Sequence, residues 1–142
     1  MKINILLVDD EKDFVETLAD RLKLRNINVM TTLNGDEALK LIEENDFDVI
    51  VLDVQMPGKT GIETLKEIKN VEQISQVIML TGHATVKTAI EGMKNGAYDY
   101  LMKPTDIDEL IDKINNAYQL VTDQKNKIRQ AEIDNIVNKR GW

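Results

Sequence analysis

Four places in this chain carry residue types that can hold a hard cation or take up a phosphoryl group. Asp53 ends the apolar run of Val49-Ile50-Val51-Leu52-Asp53-Val54-Gln55-Met56-Pro57. Asp9, Asp10 and Glu11 end a second apolar run, from Ile3 to Val8. Thr81 follows Gln76-Val77-Ile78-Met79-Leu80, and Lys103 follows Tyr98 to Met102. An aspartate carboxylate can act as a nucleophile toward phosphorus. Carboxylates brought close repel one another unless a cation sits among them. With no His or Cys beside these acids, the cation expected is hard and oxygen-loving. Mg2+ suits best, held by one or two carboxylates with water and phosphate oxygens completing its shell. Lys103 offers a positive point charge to one phosphoryl oxygen, and the Thr81 hydroxyl offers a hydrogen bond to another. Transfer at such a centre is mostly positioning and charge neutralisation. Taken singly, each residue has an ordinary use: Asp53 starts a turn, Asp9 and Asp10 cap a helix, Lys103 is solvated and Tyr100 fills a core. The chemical reading depends on their convergence.

The elements that bring them together are legible from periodicity. Short apolar runs bounded by turn residues read as strands buried on both faces. They fall at residues 3–8, 27–31, 49–52, 76–80 and 98–102. Helical spacing lies between them. Lys12 to Arg25 puts Phe14, Val15, Leu18 and Leu22 on one face, with Asp9 or Asp10 as the expected cap. Asn34-Gly35-Asp36 opens a helix that turns Ala38, Leu39 and Ile42 inward and stops near Asn45-Asp46. After a loop over Pro57 to Gly61, a third helix carries Ile62, Leu65 and Ile68. A fourth runs from about Thr85 to Asn95 with Gly96 ending it, and the last begins near Thr105-Asp106. Five strands alternating with five helices imply a parallel sheet covered on both faces. The expected fold is α/β: a flavodoxin-like, doubly wound, five-stranded sheet of order 2-1-3-4-5, with an extended C-terminal helix or linker. In such a sheet all strand carboxyl ends share one edge, and sites form there. Lys103 precedes Pro104, so a cis peptide bond is an option at that edge.

Composition narrows the function classes. The 142 residues with 42% hydrophobic content suit one domain with a true core. There are no cysteines, which excludes disulfides and thiolate metal sites and fits a cytoplasmic setting. No run of about 18 apolar residues suggests a membrane span, and the N-terminal run lacks a small-residue cleavage site. The net charge of -7 argues against a broad nucleic-acid-binding face.

In this order and spacing the motifs resemble the receiver domain of two-component response regulators. Asp9-Asp10 match the family's acidic metal pair, Asp53 in LDVQMPG its phosphorylated aspartate, and Thr81 in LTGHA its switch hydroxyl. Tyr100 in YDYLMKP matches its switch aromatic, and Lys103-Pro104 its lysine–proline pair. The resemblance covers residues 3 to about 121. The stretch LTGHATVKTAIEGMKNGAYDYLMKP is most similar to receivers attached to ATPase-type transcription activators.

The resemblance implies a function. A phosphohistidine on a partner sensor histidine kinase donates its phosphoryl group to Asp53 in the presence of Mg2+. The ion is held by Asp10, Asp53 and the backbone carbonyl of Gln55, with Asp9 acting through water. Charge added at Asp53 draws in Thr81 and Lys103, and Tyr100 swings into the vacated space. The surface of the fourth helix, fifth strand and fifth helix then changes. Gln55 and His83, each two residues past a key position, tune the phosphoryl lifetime. The only catalysis implied is self-phosphorylation and self-dephosphorylation at Asp53, so the chain is a switch and not an enzyme with an external substrate. Gly92, inside the fourth helix, is expected to ease the reshaping of that helix at a cost of about 1 kcal/mol against alanine.

The tail carries a separate expectation. Ile107, Ile111, Ile114, Tyr118 and Val121 form a helical stripe, continued in phase by Lys125 and Ile128; Ile133, Ile136 and Val137 fall out of step. The receiver domain is expected over residues 1–121. Residues 122–142 read as a helical or disordered linker toward an output domain outside this chain, or as a short dimerisation helix. The end at Lys139-Arg140-Gly141-Trp142 reads as a truncation point. A stand-alone receiver acting by protein–protein contact is the alternative. A haloacid-dehalogenase-type phosphatase would need a second acid where Gln55 stands. A flavodoxin-like electron carrier would need a Ser/Thr- and Gly-rich loop where Asp9-Asp10-Glu11 stand. A degenerate receiver would lack the intact Asp, Thr and Lys set.

Overall fold

The computed structural model describes residues 2–54, 60–82 and 85–139. Its elements alternate strictly. They are β1 (Asn4–Val8), α1 (Lys12–Leu24), β2 (Asn28–Thr32), α2 (Gly35–Glu44), β3 (Val49–Leu52), α3 (Gly61–Val71), β4 (Gln76–Thr81), α4 (Val86–Lys94), β5 (Asp99–Met102) and α5 (Ile107–Lys139). All strand pairs are parallel, in the order β2-β1-β3-β4-β5. The expected fold class and strand order hold.

Two-residue alternation along the strands builds two cores. Ile5, Leu7, Val49, Val51, Ile78 and Leu80 face one side, where Val15, Leu18 and Leu22 of α1 and Leu110, Ile114 and Ala117 of α5 cover them. Leu6, Val8, Ile50, Leu52, Val77 and Met79 face the other, against Ala38 and Ile42 of α2 and Ile62, Leu65 and Ile68 of α3. Because both faces are covered, the strands read as continuous apolar runs. Fully burying each such side chain contributes about 1.5–3 kcal/mol.

Local chemistry sets the helix ends. Asn34 caps α2 by accepting from the Glu37 N–H at 2.8 Å. Thr60 caps α3 by accepting from the Glu63 N–H. Thr85 and Thr88 form a reciprocal capping box at α4. Gly96, at φ +99°, ends α4 in the left-handed region, as its sequence position suggested. Four details differ from the reading of the sequence. Glu11, not Asp9 or Asp10, holds the N-cap position of α1, and its side chain makes no capping bond. Ile27 is buried just ahead of β2 instead of within it. Thr81 is the last residue of β4 and not the residue after it. Gly61 opens α3 instead of belonging to the preceding loop. Asp106 caps α5, its Oδ1 accepting from the Asp108 N–H at 3.0 Å.

α5 is one continuous helix of 33 residues, about 50 Å long. Its buried stripe of Leu110, Ile114, Ala117 and Val121 ends where the sheet ends. Lys125 lies one turn further and pairs with Asp46 at 3.6 Å and Asp48 at 4.0 Å, at the opposite edge of the sheet from the acids. Beyond it, Ile128, Ile133 and Ile136 are exposed. Among the described residues no helix is long and apolar enough to cross a membrane.

Candidate functional site

The strand order reverses direction between β1 and β3, and the acids gather at that point. Three of the residues that matter lie one step beyond a strand, and each is pinned by a backbone hydrogen bond that extends the ladder. The Asp9 N–H donates to the Thr32 carbonyl at 3.2 Å, the Asp53 N–H to Val8 at 2.9 Å, and the Lys103 N–H to Thr81 at 2.8 Å. The sheet register therefore places these side chains, with little left to loop conformation. Asp9 and Asp53 are buried, while Asp10 is exposed. One carboxylate oxygen from each of Asp9, Asp10 and Asp53 lies within 4.8 Å of the others. The three sequence-predicted acids come together.

Lys103 enters the cluster from β5. Its Nζ donates to Asp9 Oδ2 at 2.6 Å and to Glu11 Oε1 at 3.1 Å. It also lies 4.0 Å from the centroid of the Phe14 ring. Asp9 is further ordered by the Glu11 N–H, which donates to its Oδ1 at 2.9 Å. Burial pushes the Asp9 carboxyl above its ordinary value. The hydrogen bonds from Lys103 and the Glu11 backbone offset this only in part, and the charge of Asp53 adds to the rise. Burial alone would lower the Lys103 ammonium. The hydrogen bond and charge of Asp9, reinforced by Glu11 and Asp53, outweigh it and leave the ammonium held above its ordinary value. Among the described residues, Asp9, Asp10, Glu11 and Asp53 gather around the Lys103 ammonium, which leaves this edge with an excess of negative charge. Its donors are all oxygens, which fits a hard divalent cation and not a soft one.

Thr81 is fully buried at the end of β4, beside Met102 in register. Tyr100 sits opposite Met79 and packs against the core on the α2–α3 side. Its hydroxyl is buried and has no hydrogen-bond partner among the described residues. Gly92 is the buried residue of α4; a Cβ there would lie 2.6 Å from the Met79 sulfur, so the glycine lets α4 seat against β4. The Lys103–Pro104 bond is cis. Gln55 and His83 lie outside the described residues.

Two participants escaped the reading of the sequence. In the sequence Glu11 reads only as a further acid after β1, and Phe14 only as part of the core face of α1. The available signal was their spacing of three residues at the start of a helix that begins at the acidic edge.

The matches to known proteins agree with this geometry. The family model for the response regulator receiver domain matches residues 5–115. The transcriptional regulatory protein ZraR of Escherichia coli is 41% identical over 108 residues, 76% of this chain and 24% of ZraR. The chain thus spans about a quarter of the length of such curated relatives. Among solved structures, the receiver domain of Francisella response regulator 1452 is 36% identical with a TM-score of 0.77, over 83% of this chain and 98% of that one. A Burkholderia pseudomallei response regulator solved with a phosphorylated aspartic acid, a calcium ion and citrate is 26% identical with a TM-score of 0.77, over 99% and 86% of the two chains. With the fold, the acid cluster and the family match in agreement over most of its length, this chain belongs to the response regulator receiver domain family.

Proposed function

We propose that this receiver is a phosphorylation-activated signalling switch with Asp53 as the phosphoacceptor. The observation that carries it is the cluster of Asp9, Asp10 and Asp53 at the carboxyl edge of β1 and β3, with Lys103 against it. The phosphorylated aspartic acid and calcium ion in the Burkholderia pseudomallei relative support the same reading. A sensor histidine kinase is the phosphodonor. An Asp53 oxygen attacks phosphorus, the P–N bond to the donor histidine breaks as the new P–O bond forms, and the electron pair leaves with the imidazole. Mg2+ supplies charge neutralisation for the acids and the phosphoryl oxygens. Asp10, Asp53 and the Gln55 carbonyl would hold it directly and Asp9 through water. Lys103 and the Thr81 hydroxyl each take a phosphoryl oxygen. Gln55 and His83 set the phosphoryl lifetime.

Output runs through α4, β5 and α5. Movement of Thr81 makes room for Tyr100 to shift, a two-state element biased by local charge. The Tyr100 hydroxyl supports this: it is buried and has no partner among the described residues, and a buried hydroxyl without a bond is poorly held. The same face exposes Val86, Ile90, Met93 and Met102, apolar side chains suited to a second copy. Residues 122–142 then act as a linker or dimerisation helix toward an output domain of the transcription-activator type, and the setting is the cytoplasm. Such a receiver catalyses only its own phosphorylation and dephosphorylation.

Incubation with Mg2+ and acetyl phosphate, followed by intact mass measurement, tests the proposal. One added phosphoryl group that Asp53→Asn abolishes is expected. No adduct with either acetyl phosphate or a phosphorylated kinase would sink it, and multiple turnover of a small phosphate ester would favour a hydrolase. For Gly92, identical NMR populations of active and inactive states in Gly92→Ala would exclude any part in the switch.

A further inference from the structure

The start of α1 presents two side chains to Lys103, Glu11 from the N-cap position, where the backbone is still extended, and Phe14 three residues on. Glu11 is the N-cap residue, yet its side chain makes no capping bond. Its Oε1 accepts from Lys103 Nζ at 3.1 Å instead. Phe14, one turn on, sets its ring centroid 4.0 Å from the same nitrogen. With Asp9 Oδ2 at 2.6 Å they enclose a lysine side chain that is only 11% exposed.

The contacts differ in how readily they exchange. The Phe14 ring is neutral, half-buried and packed against the core on the α1–α5 side. It cannot follow a moving charge, so it fixes where the ammonium sits. The Glu11 side chain is 62% exposed, and a water-facing ion pair of this kind is weak. Asp9 belongs to the acid cluster and is anchored by a backbone N–H. A phosphoryl group arriving at Asp53 adds negative charge that needs a positive partner. Among Asp9, Glu11 and Phe14, Glu11 is the group that water replaces at least cost.

We propose that Phe14 is a positioning residue that holds the Lys103 ammonium at the acceptor edge, and that Glu11 is the exchangeable counter-ion Lys103 gives up for the phosphoryl group. This rests on the reading of Asp53 as phosphoacceptor. In the step with acetyl phosphate, the P–O bond to the acetyl oxygen breaks as the P–O bond to an Asp53 oxygen forms, and acetate leaves with the electron pair. Glu11 and Phe14 gain and lose no proton. The ring contact persists through transfer and the Glu11 contact competes with it, so the two residues have effects of opposite sign.

The test follows phosphorylation of the full chain by acetyl phosphate and Mg2+ across a range of donor concentrations. Phe14→Leu keeps apolar bulk and removes the π face. It is expected to lower the maximal rate by about 3- to 30-fold with donor half-saturation little changed, because the contact acts on the transferring charge. Phe14→Tyr restores the rate. Glu11→Gln raises the rate at sub-saturating donor by about two- to fivefold. An NMR measurement needs no phosphoryl transfer: the Lys103 ε-methylene protons are ring-shifted upfield in wild type and Phe14→Tyr, and return to ordinary positions in Phe14→Leu. A Phe14→Leu rate equal to wild type, a Phe14→Tyr rate as low as that of Phe14→Leu, or a slowed Glu11→Gln overturns the inference. Wild type that takes up no phosphoryl group from acetyl phosphate or from a phosphorylated kinase, while the ring shift persists, overturns the phosphoacceptor reading and the exchange with it, and supports the Phe14–Lys103 contact alone.

Discussion

Gly61→Ala gives a sharp test of how the acceptor edge is built. Gly61 is the first residue of α3, and its N–H donates to the Val54 carbonyl at 2.7 Å. A Cβ placed on it would lie 2.2 Å from the Asp53 carbonyl oxygen, 2.5 Å from Val54 Cα and 2.8 Å from the Val54 oxygen. All three are backbone atoms, so no rotamer change can relieve the overlap. Ordinary contact needs about 3.5 Å, so the start of α3 must retreat by roughly 1 Å from the end of β3. That retreat strains or breaks the Gly61–Val54 hydrogen bond, at about 1 kcal/mol, and adds an overpacking cost of about 1–3 kcal/mol. Alanine's better helix propensity returns about 0.5–1 kcal/mol. The expected net loss is about 2 kcal/mol. The assay is urea denaturation followed by circular dichroism, with Gly82→Ala as the control, since a Cβ on Gly82 meets nothing within 4 Å among the described residues. The backbone crowded by the new Cβ is that of Asp53 and Val54, so the rate of Asp53 phosphorylation should fall as well. If Gly61→Ala matched the Gly82→Ala control within about 0.5 kcal/mol, the close approach of α3 to the Asp53 peptide would be wrong.

Other perturbations follow from single contacts. Tyr100→Phe removes a buried hydroxyl that has no partner among the described residues, so stability should be unchanged or rise by up to about 1 kcal/mol in denaturant melts; a clear loss would reveal a further bond. Lys69 donates to the Gln73 and Ser75 carbonyls, both at 2.9 Å, and burial holds its ammonium below the ordinary lysine value despite the opposing charge of Glu72. The unfolded chain therefore binds more protons at alkaline pH, and stability contributed by this group should rise as pH climbs through its lowered value toward about 10.5. Lys69→Met should flatten that rise in melts compared at about pH 8 and about pH 10.5, and unchanged pH dependence would count against the burial. Lys125→Ala removes the pairs to Asp46 and Asp48. Global stability should drop by less than about 1 kcal/mol, while hydrogen exchange quickens after Val121; unchanged exchange there would mean that the pairs do not anchor the helix.

The sequence by itself determined the fold class and the edge at which chemistry collects, while the strand order came with the doubly wound resemblance and was met in the structure. Apolar runs broken by acids can be buried only as parallel strands covered on both faces, and alternating helices force right-handed crossovers that put every strand's carboxyl end on one side. Asp9, Asp53 and Lys103 were legible for that reason: each is the first residue beyond its strand. Only the tertiary structure decided their partners. Lys103 meets Glu11 and Phe14 because β5 and the first turn of α1 approach across the sheet edge, a relation between residues about 90 positions apart that no local pattern encodes. The tight seat of Gly61 on the Asp53 peptide belongs to the same class, since a close backbone approach leaves no periodic trace in sequence. So does Lys125, which looked like an interruption in an apolar stripe and proves to be the point where α5 leaves the sheet, matched there by acids from the turn before β3. Local pattern sets which face of each element is buried; the packing of elements sets which charges meet, and at this edge the meeting of charges is the chemistry.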